Sequence, residues 1–298
     1  MSRVPGRILD VAGVPTHVVR EGEGPVCVLS GGLGMSWFDW DPVVPLLTPH
    51  RTVVRFDRPG LGLSAPAPAD EIPTAAGEAR RIAGVLDALG LTGPCTVAGH
   101  SLAGFHVEAF ARLYPERTAG LVLVDTSVEE DAREPAVPAA PRAAAARLLA
   151  AGLGAAGVPR ALGRAARRLT VRAQSVRHSD DPAPEALVRR CYSTTRVLRA
   201  GLVENATYAG MAAEVLDLRA RHPLPDVPVT VLAAYSATDT VRELRSLDRQ
   251  RRLAAELNGA DFRIAAPAGH LVMMDDPAAV ARAVLGESPA WDIAAERT

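Results

Sequence analysis

The chain has 298 residues, 48% of them hydrophobic and 22% charged, the balance of an ordinary folded domain, which excludes global disorder. Its 33 basic residues against 34 acidic ones leave a net charge of −1, which argues against a dedicated nucleic-acid binder. All the basic residues are arginine, so Schiff-base enzymes, lysine-anchored pyridoxal phosphate and the lysine-bearing phosphate loop are excluded too.

The first twenty residues alternate apolar and polar on either side of a short turn. Ile8–Val11 and Thr16–Val19, joined through Ala12-Gly13-Val14-Pro15, predict a β-hairpin. Short apolar runs and helical patterns then take turns. Val26–Leu29 precedes a helix near Ser36–Leu47, Thr52–Phe56 a helix near Thr74–Leu89, and Cys95–Ala98 a helix near Leu102–Leu113; Leu121–Val124 closes the first half. Short apolar runs bounded by Gly and Pro suit strands buried on both faces, and their alternation with helices predicts a mostly parallel central sheet with helices on both sides, an α/β fold.

The rhythm stops between about Thr126 and Asp226, where Ala, Arg and Leu make only helical patterns. It resumes with a strand at Val229–Ala233, a helix near Val241–Leu257, a strand at Phe262–Ala265 and a helix near Asp276–Leu285. The expected organisation is therefore a core from residues 1–125 and 227–298, with a helical cap inserted at 126–226. Between Pro135 and Ser179 lie eight arginines and no acid. Such a stretch suits solvated helix faces first, attraction of an anionic substrate second, and a membrane-seeking lid third.

The three cysteines, Cys27, Cys95 and Cys191, are too scattered for a disulfide framework or a zinc pattern. The N-terminal MSRVPGRILD lacks the apolar stretch of a secretory signal, and the longest apolar run in the middle, Leu148 to Pro159, is too short to span a bilayer. No transmembrane segment and a cytoplasmic location are expected. Oligomeric state is not legible.

The sharpest chemical signal is Gly99-His100-Ser101-Leu102-Ala103-Gly104, which follows a strand and opens a helix. Small residues two before and two after the serine permit a tight, strained turn that pushes the hydroxyl clear of the sheet. A serine hydroxyl needs a base. Of seven histidines, His270 alone sits in a loop just after the last strand, in Pro267-Ala268-Gly269-His270. The base in turn needs a carboxylate. Asp239, in Ser236-Ala237-Thr238-Asp239 beyond the strand Val229–Ala233, is the expected partner; Asp125, at the end of Leu121–Val124, is the fallback, and otherwise braces the loop into the insert. Donors for an oxyanion are expected from the backbone N–H of Leu102 and from Ser30-Gly31-Gly32-Leu33-Gly34, with Gly32 first and Leu33 next.

These segments resemble those of the α/β-hydrolase fold superfamily with a helical cap. The likeness runs from the hairpin through SGGLG, Phe56-Asp57-Arg58-Pro59-Gly60-Leu61-Gly62-Leu63-Ser64, GHSLAG, SATD and AGH. Two departures stand out. Ser30 takes the place of a histidine that in the family braces the oxyanion loop, and Ala234-Tyr235 replaces the usual glycine before the acid. The resemblance implies a cap between the sixth and seventh strands.

Gly60–Ala65 loosely fits a dinucleotide pattern, but Pro66 and Pro68 prevent a helix there, so it reads as a turn beside the site. Trp37 and Phe38 fit core packing better than an acyl pocket, but stand as candidate lining with Leu33, His100, Tyr235 and Leu271. The expected chemistry is hydrolysis of a carboxylic ester, thioester or lactone on a small or medium, apolar or acyl, substrate, with no metal or organic cofactor. The alternatives are cyclisation, lyase or cofactor-free oxygen chemistry with His270 as base, and non-catalytic ligand binding.

Overall fold

A computed structural model describes residues 4–177, 181–257 and 259–287. Among them, eight strands form one sheet in the order β1-β2-β4-β3-β5-β6-β7-β8. These are β1 (Arg7–Val11), β2 (Val14–Glu21), β3 (Val26–Ser30), β4 (Thr52–Phe56), β5 (Cys95–His100), β6 (Thr118–Val124), β7 (Val229–Ala234) and β8 (Asp261–Ala265). β2 runs antiparallel to β1 and β4; every other pairing is parallel.

The hairpin turn is tighter than expected. Ala12 and Gly13 alone make it, both at positive φ, with the Asp10 carboxylate accepting the Gly13 N–H at 2.9 Å, so Val14 and Pro15 belong to β2. The helix expected over 36–47 is broken into a 3-10 turn at Trp37–Trp40 and a short α1 (Val44–Leu47). α2 (Ala75–Ala88) begins where Thr74 caps the Gly77 N–H at 2.9 Å, worth about 1 kcal/mol. α3 (Ala103–Leu113) follows β5 directly and is buried along nearly its whole length. The central strands are mostly apolar because helices cover both faces of the sheet, and the core divides into one cluster on each side.

Among the described residues, four helices lie between β6 and β7: α4 (Ala139–Ala155), α5 (Val158–Gln174), α6 (Glu185–Tyr192) and α7 (Thr195–Arg221). α7 is tied to the core at several points. Glu214 accepts the Ala75 N–H at 2.6 Å at the start of α2, Arg219 pairs with Glu108 of α3 at 2.8 Å, and Arg196 donates to carbonyls of the 60–64 loop. α8 (Val241–Glu256), α9 (Val272–Asp275) and α10 (Pro277–Leu285) complete the chain as described. No helix among the described residues is long and apolar enough to cross a membrane.

Candidate active site

The site is assembled at the carboxyl ends of the parallel strands, where loops and not ladders end the sheet. Ser101 follows β5 with φ of 52°, a left-handed conformation costly for a residue with a side chain. Two glycines make this turn possible. A Cβ on Gly99 would lie 2.4 Å from the Ala103 oxygen, and one on Gly104 would lie 1.7 Å from Thr126 Oγ1. The turn therefore requires Gly104 as well as the small residues flanking the serine.

A continuous hydrogen-bonded chain starts at that serine. Ser101 Oγ lies 3.0 Å from His270 Nε2, and His270 Nδ1 lies 2.6 Å from Asp125 Oδ2. With the carboxylate accepting from Nδ1–H, Nε2 carries a lone pair that faces the serine hydroxyl. The other Asp125 oxygen accepts from the Ala234 N–H at 3.0 Å and from Gln250 at 2.6 Å. Burial by itself would raise the Asp125 pKa, but the bond and charge of His270, with the Ala234 and Gln250 donors, hold the carboxyl below its usual range. The group stays ionised.

Asp239, the expected third member, is elsewhere. It sits at positive φ in the exposed loop after β7, and its carboxylate accepts the Tyr235 hydroxyl at 2.5 Å. Four residues separate it from the end of β7, whereas Asp125 directly follows β6, the strand beside β5, so Asp125 reaches the imidazole without a loop excursion.

Gly32 is close to the serine, as expected: a Cβ there would lie 3.2 Å from Ser101 Cβ and 2.8 Å from His100 Nδ1. Its N–H is engaged by a residue that sequence reading did not single out. Met35 turns back over the loop, its backbone N–H bonded to the Gly32 oxygen at 3.1 Å, and its sulfur accepts the Gly32 N–H at 3.1 Å. Leu102 stands at the entry to α3, and Leu33 is an exposed member of the loop.

His100 is buried against His270, with ring centroids 4.6 Å apart. Its Nε2–H donates to the His270 carbonyl at 2.8 Å, leaving Nδ1 bare toward Met35. Burial, and then the neighbouring His270, push its pKa down to about 3, so it remains neutral and props the loop that carries His270. Trp37 and Phe38 do not serve as free lining. They are core residues packed with Val19, Cys191 and Tyr192, and Trp37 meets the His17 ring edge-on. Leu271 is likewise core, its N–H held by the Gln174 carbonyl at 3.1 Å. Beside Asp125 and His270 opens a polar groove of about 800 Å³ lined in part by Glu129, Ser236, Arg242 and Arg249.

The 60–64 loop is a turn and not a phosphate cradle. The Leu63 N–H is spent on Asp57 at 2.9 Å, and the carbonyls of Gly60, Gly62 and Ser64 accept from Arg196 at 2.9, 2.6 and 2.6 Å. Nor are the arginines of the insert all solvated. Arg167 is buried, bonded to Asp39 of the core and to Asp181 at 2.7 Å, and covers the Tyr192 ring.

An elbow serine, a histidine in the loop after the last strand and an eight-stranded, mostly parallel sheet define one class. The chain belongs to the alpha/beta hydrolase family, whose model matches residues 27–283. It is similar to RutD of Caulobacter segnis, named for carbamate hydrolysis: 32% identity over 262 residues, 85% of this chain and 86% of that protein. Its fold is similar to that of Cfl2 from Burkholderia cenocepacia, with a TM-score of 0.72, 24% identity and 94% of both chains covered. Other likenesses are partial. It is 33% identical to mouse bifunctional epoxide hydrolase 2 over 117 residues, 38% of this chain and 21% of that protein, and it spans 5% of a polyketide synthase, ThaQ of Burkholderia thailandensis.

Proposed function

We propose that this alpha/beta hydrolase is a serine hydrolase acting on a carboxylic ester, thioester or lactone. The observation that carries the reading is the chain from Ser101 through His270 to the buried Asp125. His270 Nε2 takes the Ser101 proton as Oγ attacks the carbonyl carbon and the C=O electron pair moves onto oxygen. Asp125 stays ionised and stabilises the imidazolium. The tetrahedral intermediate collapses, the leaving oxygen or sulfur takes the proton from His270, and an acyl-enzyme remains. Water then attacks the acyl carbon and gives its proton to His270; as this second tetrahedral intermediate collapses, the C–Oγ bond breaks, His270 returns the proton to Ser101 Oγ, and the acid leaves.

The oxyanion is received by the N–H groups of Leu102 and Gly32. A thioether is a weak acceptor, so a carbonyl oxygen acquiring charge displaces the Met35 sulfur from Gly32. The inserted helices act as a cap that shapes the substrate site.

A serine nucleophile also separates this reading from epoxide opening. Attack of Ser101 on an epoxide carbon would leave an alkyl ether on the enzyme, which water does not cleave under mild conditions, whereas an acyl ester turns over. The first test is labelling of the full chain by a fluorophosphonate, with turnover of short-chain p-nitrophenyl esters and lactones. Labelling and turnover are expected, both lost in Ser101→Ala; a folded wild-type chain that the probe does not label would refute the reading.

A further inference from the structure

The oxyanion loop lacks the brace that its family resemblance implies. Ser30 stands where a histidine would, and its buried hydroxyl has no hydrogen-bond partner among the described residues. A loop of Gly31-Gly32-Leu33-Gly34 has little intrinsic stiffness. Something else has to hold it.

Arg58 does so from behind. Its guanidinium donates through Nη1 to the Gly31 carbonyl and through Nη2 to the Gly32 carbonyl at 2.7 Å. The Gly31–Gly32 peptide is planar and trans, so its C=O and N–H point in opposite directions. A cation fixed on the Gly31 oxygen therefore fixes where the Gly32 N–H points. Arg58 is itself held by a side chain from the insert. Glu204 of α7 accepts from Arg58 Nε at 2.6 Å and from Nη2 at 3.0 Å, and its Oε2 also accepts the Gly34 N–H at 2.9 Å. Both side chains are buried, at 4% and 7% exposure, so water competes little for these bonds. Glu204 lies on a helix already anchored to the core through Arg196, Glu214 and Arg219.

We infer that Arg58 and Glu204 are positioning residues that aim the Gly32 N–H at the reacting carbonyl oxygen, so that the inserted helix α7 sets the oxyanion geometry of the core. The inference rests on the serine-hydrolase reading above. It makes the insert part of the catalytic scaffold as well as a cover for the substrate.

The test uses the full chain with Glu204→Gln and the apolar pair Arg58→Met/Glu204→Leu. The pair leaves no lone buried charge, so it keeps the test decisive if the single variant does not fold. Two quantities are read: hydrogen–deuterium exchange of the segment 30–36, and kcat and KM on the best p-nitrophenyl ester. The expected result is exchange at least tenfold faster in that segment with kcat lowered about 10- to 100-fold and KM within threefold, the mark of a mis-aimed oxyanion donor. Unchanged exchange in folded variants overturns the brace whatever the chemistry of the site; faster exchange with unchanged kcat overturns its role in aiming the donor. Failure of the hydrolase reading shows separately, as absent fluorophosphonate labelling of the wild-type chain.

Discussion

The ends of β6 and β7 carry the same kind of residue and put it to opposite uses. Each apolar strand leads to an aspartate at positive φ, Asp125 and Asp239. Asp125 is enclosed: the His270 imidazole takes one oxygen, and the Ala234 N–H and Gln250 take the other. Asp239 lies in solvent with Tyr235 as its hydrogen-bond partner. The difference comes from the neighbouring elements. β7 supplies a backbone donor, and α8 supplies a side-chain donor, to the end of β6; in the loop after β7, α8 instead offers the Glu243 carboxylate, which accepts from Ser236 and Thr238 and gives Asp239 no donor. A carboxylate becomes a structural partner for an imidazole where surrounding donors outweigh the cost of burying it, and nothing in its own sequence context shows whether they do.

Removing the enclosed carboxylate is the strongest way to break this contrast. Asp125→Asn is expected to lower kcat on the order of 10³- to 10⁴-fold, because the amide presents the wrong partner to Nδ1 and leaves the imidazolium uncompensated. Steady-state turnover of a p-nitrophenyl ester measures it; near-wild-type turnover in a folded Asp125→Asn would return the role to another carboxylate.

Taking away one donor sharpens the comparison. Gln250→Leu deletes the 2.6 Å bond to Asp125. It should cost about tenfold in kcat, in line with the roughly 10- to 100-fold typical of groups that orient a reacting side chain. Losing a donor that holds the carboxylate low also moves the Asp125 pKa upward, which an NMR titration of that carboxyl reads. A downward shift would contradict the assigned network.

Enclosure also has a signature in stability. His106 on α3 is buried with neither ring nitrogen hydrogen-bonded to a described residue, and burial, then the Arg58 and Arg81 charges, drive its pKa well below the usual value of 6.5. The unfolded chain therefore takes up this proton before the folded one does. Stability is full above about pH 6.5 and declines as pH falls, by up to about 1.4 kcal/mol per pH unit for this histidine. His106→Leu should flatten that decline in urea melts between pH 6.5 and 4.5, and an equally steep wild-type and variant profile would show that His106 contributes nothing.

The smallest effect is expected at the exposed strand end. Asp239→Asn should leave kcat within twofold and the urea midpoint nearly unchanged, as for an exposed surface group. A loss comparable to that of Asp125→Asn would erase the distinction between the two ends.

Much of this was legible without coordinates. The strand–helix rhythm, the elbow at Ser101 and the loop position of His270 are local patterns, each written in a few consecutive residues. Asp239 is the expected acid from its place after the strand Val229–Ala233, in the SATD segment that the family resemblance covers, while Asp125, which also ends a strand, is the fallback. Met35 on the Gly32 N–H left no sequence signal, and neither did Glu204, one glutamate among the polar residues of a long helix. Trp37 and Phe38 were readable as core only from the helical side of their ambiguity.

The amino-acid order alone determined which segments become strands and helices, where the sheet is interrupted, and which serine occupies a turn tight enough to expose its hydroxyl, because steric and hydrophobic periodicity act over a few residues. Tertiary structure decided which aspartate meets the imidazole, what touches the oxyanion loop, and that a glutamate 146 residues from Arg58 completes its support. Those outcomes depend on distances between groups far apart in the chain, and electrostatic and hydrogen-bond energies acquire their sign only once burial and partners are set.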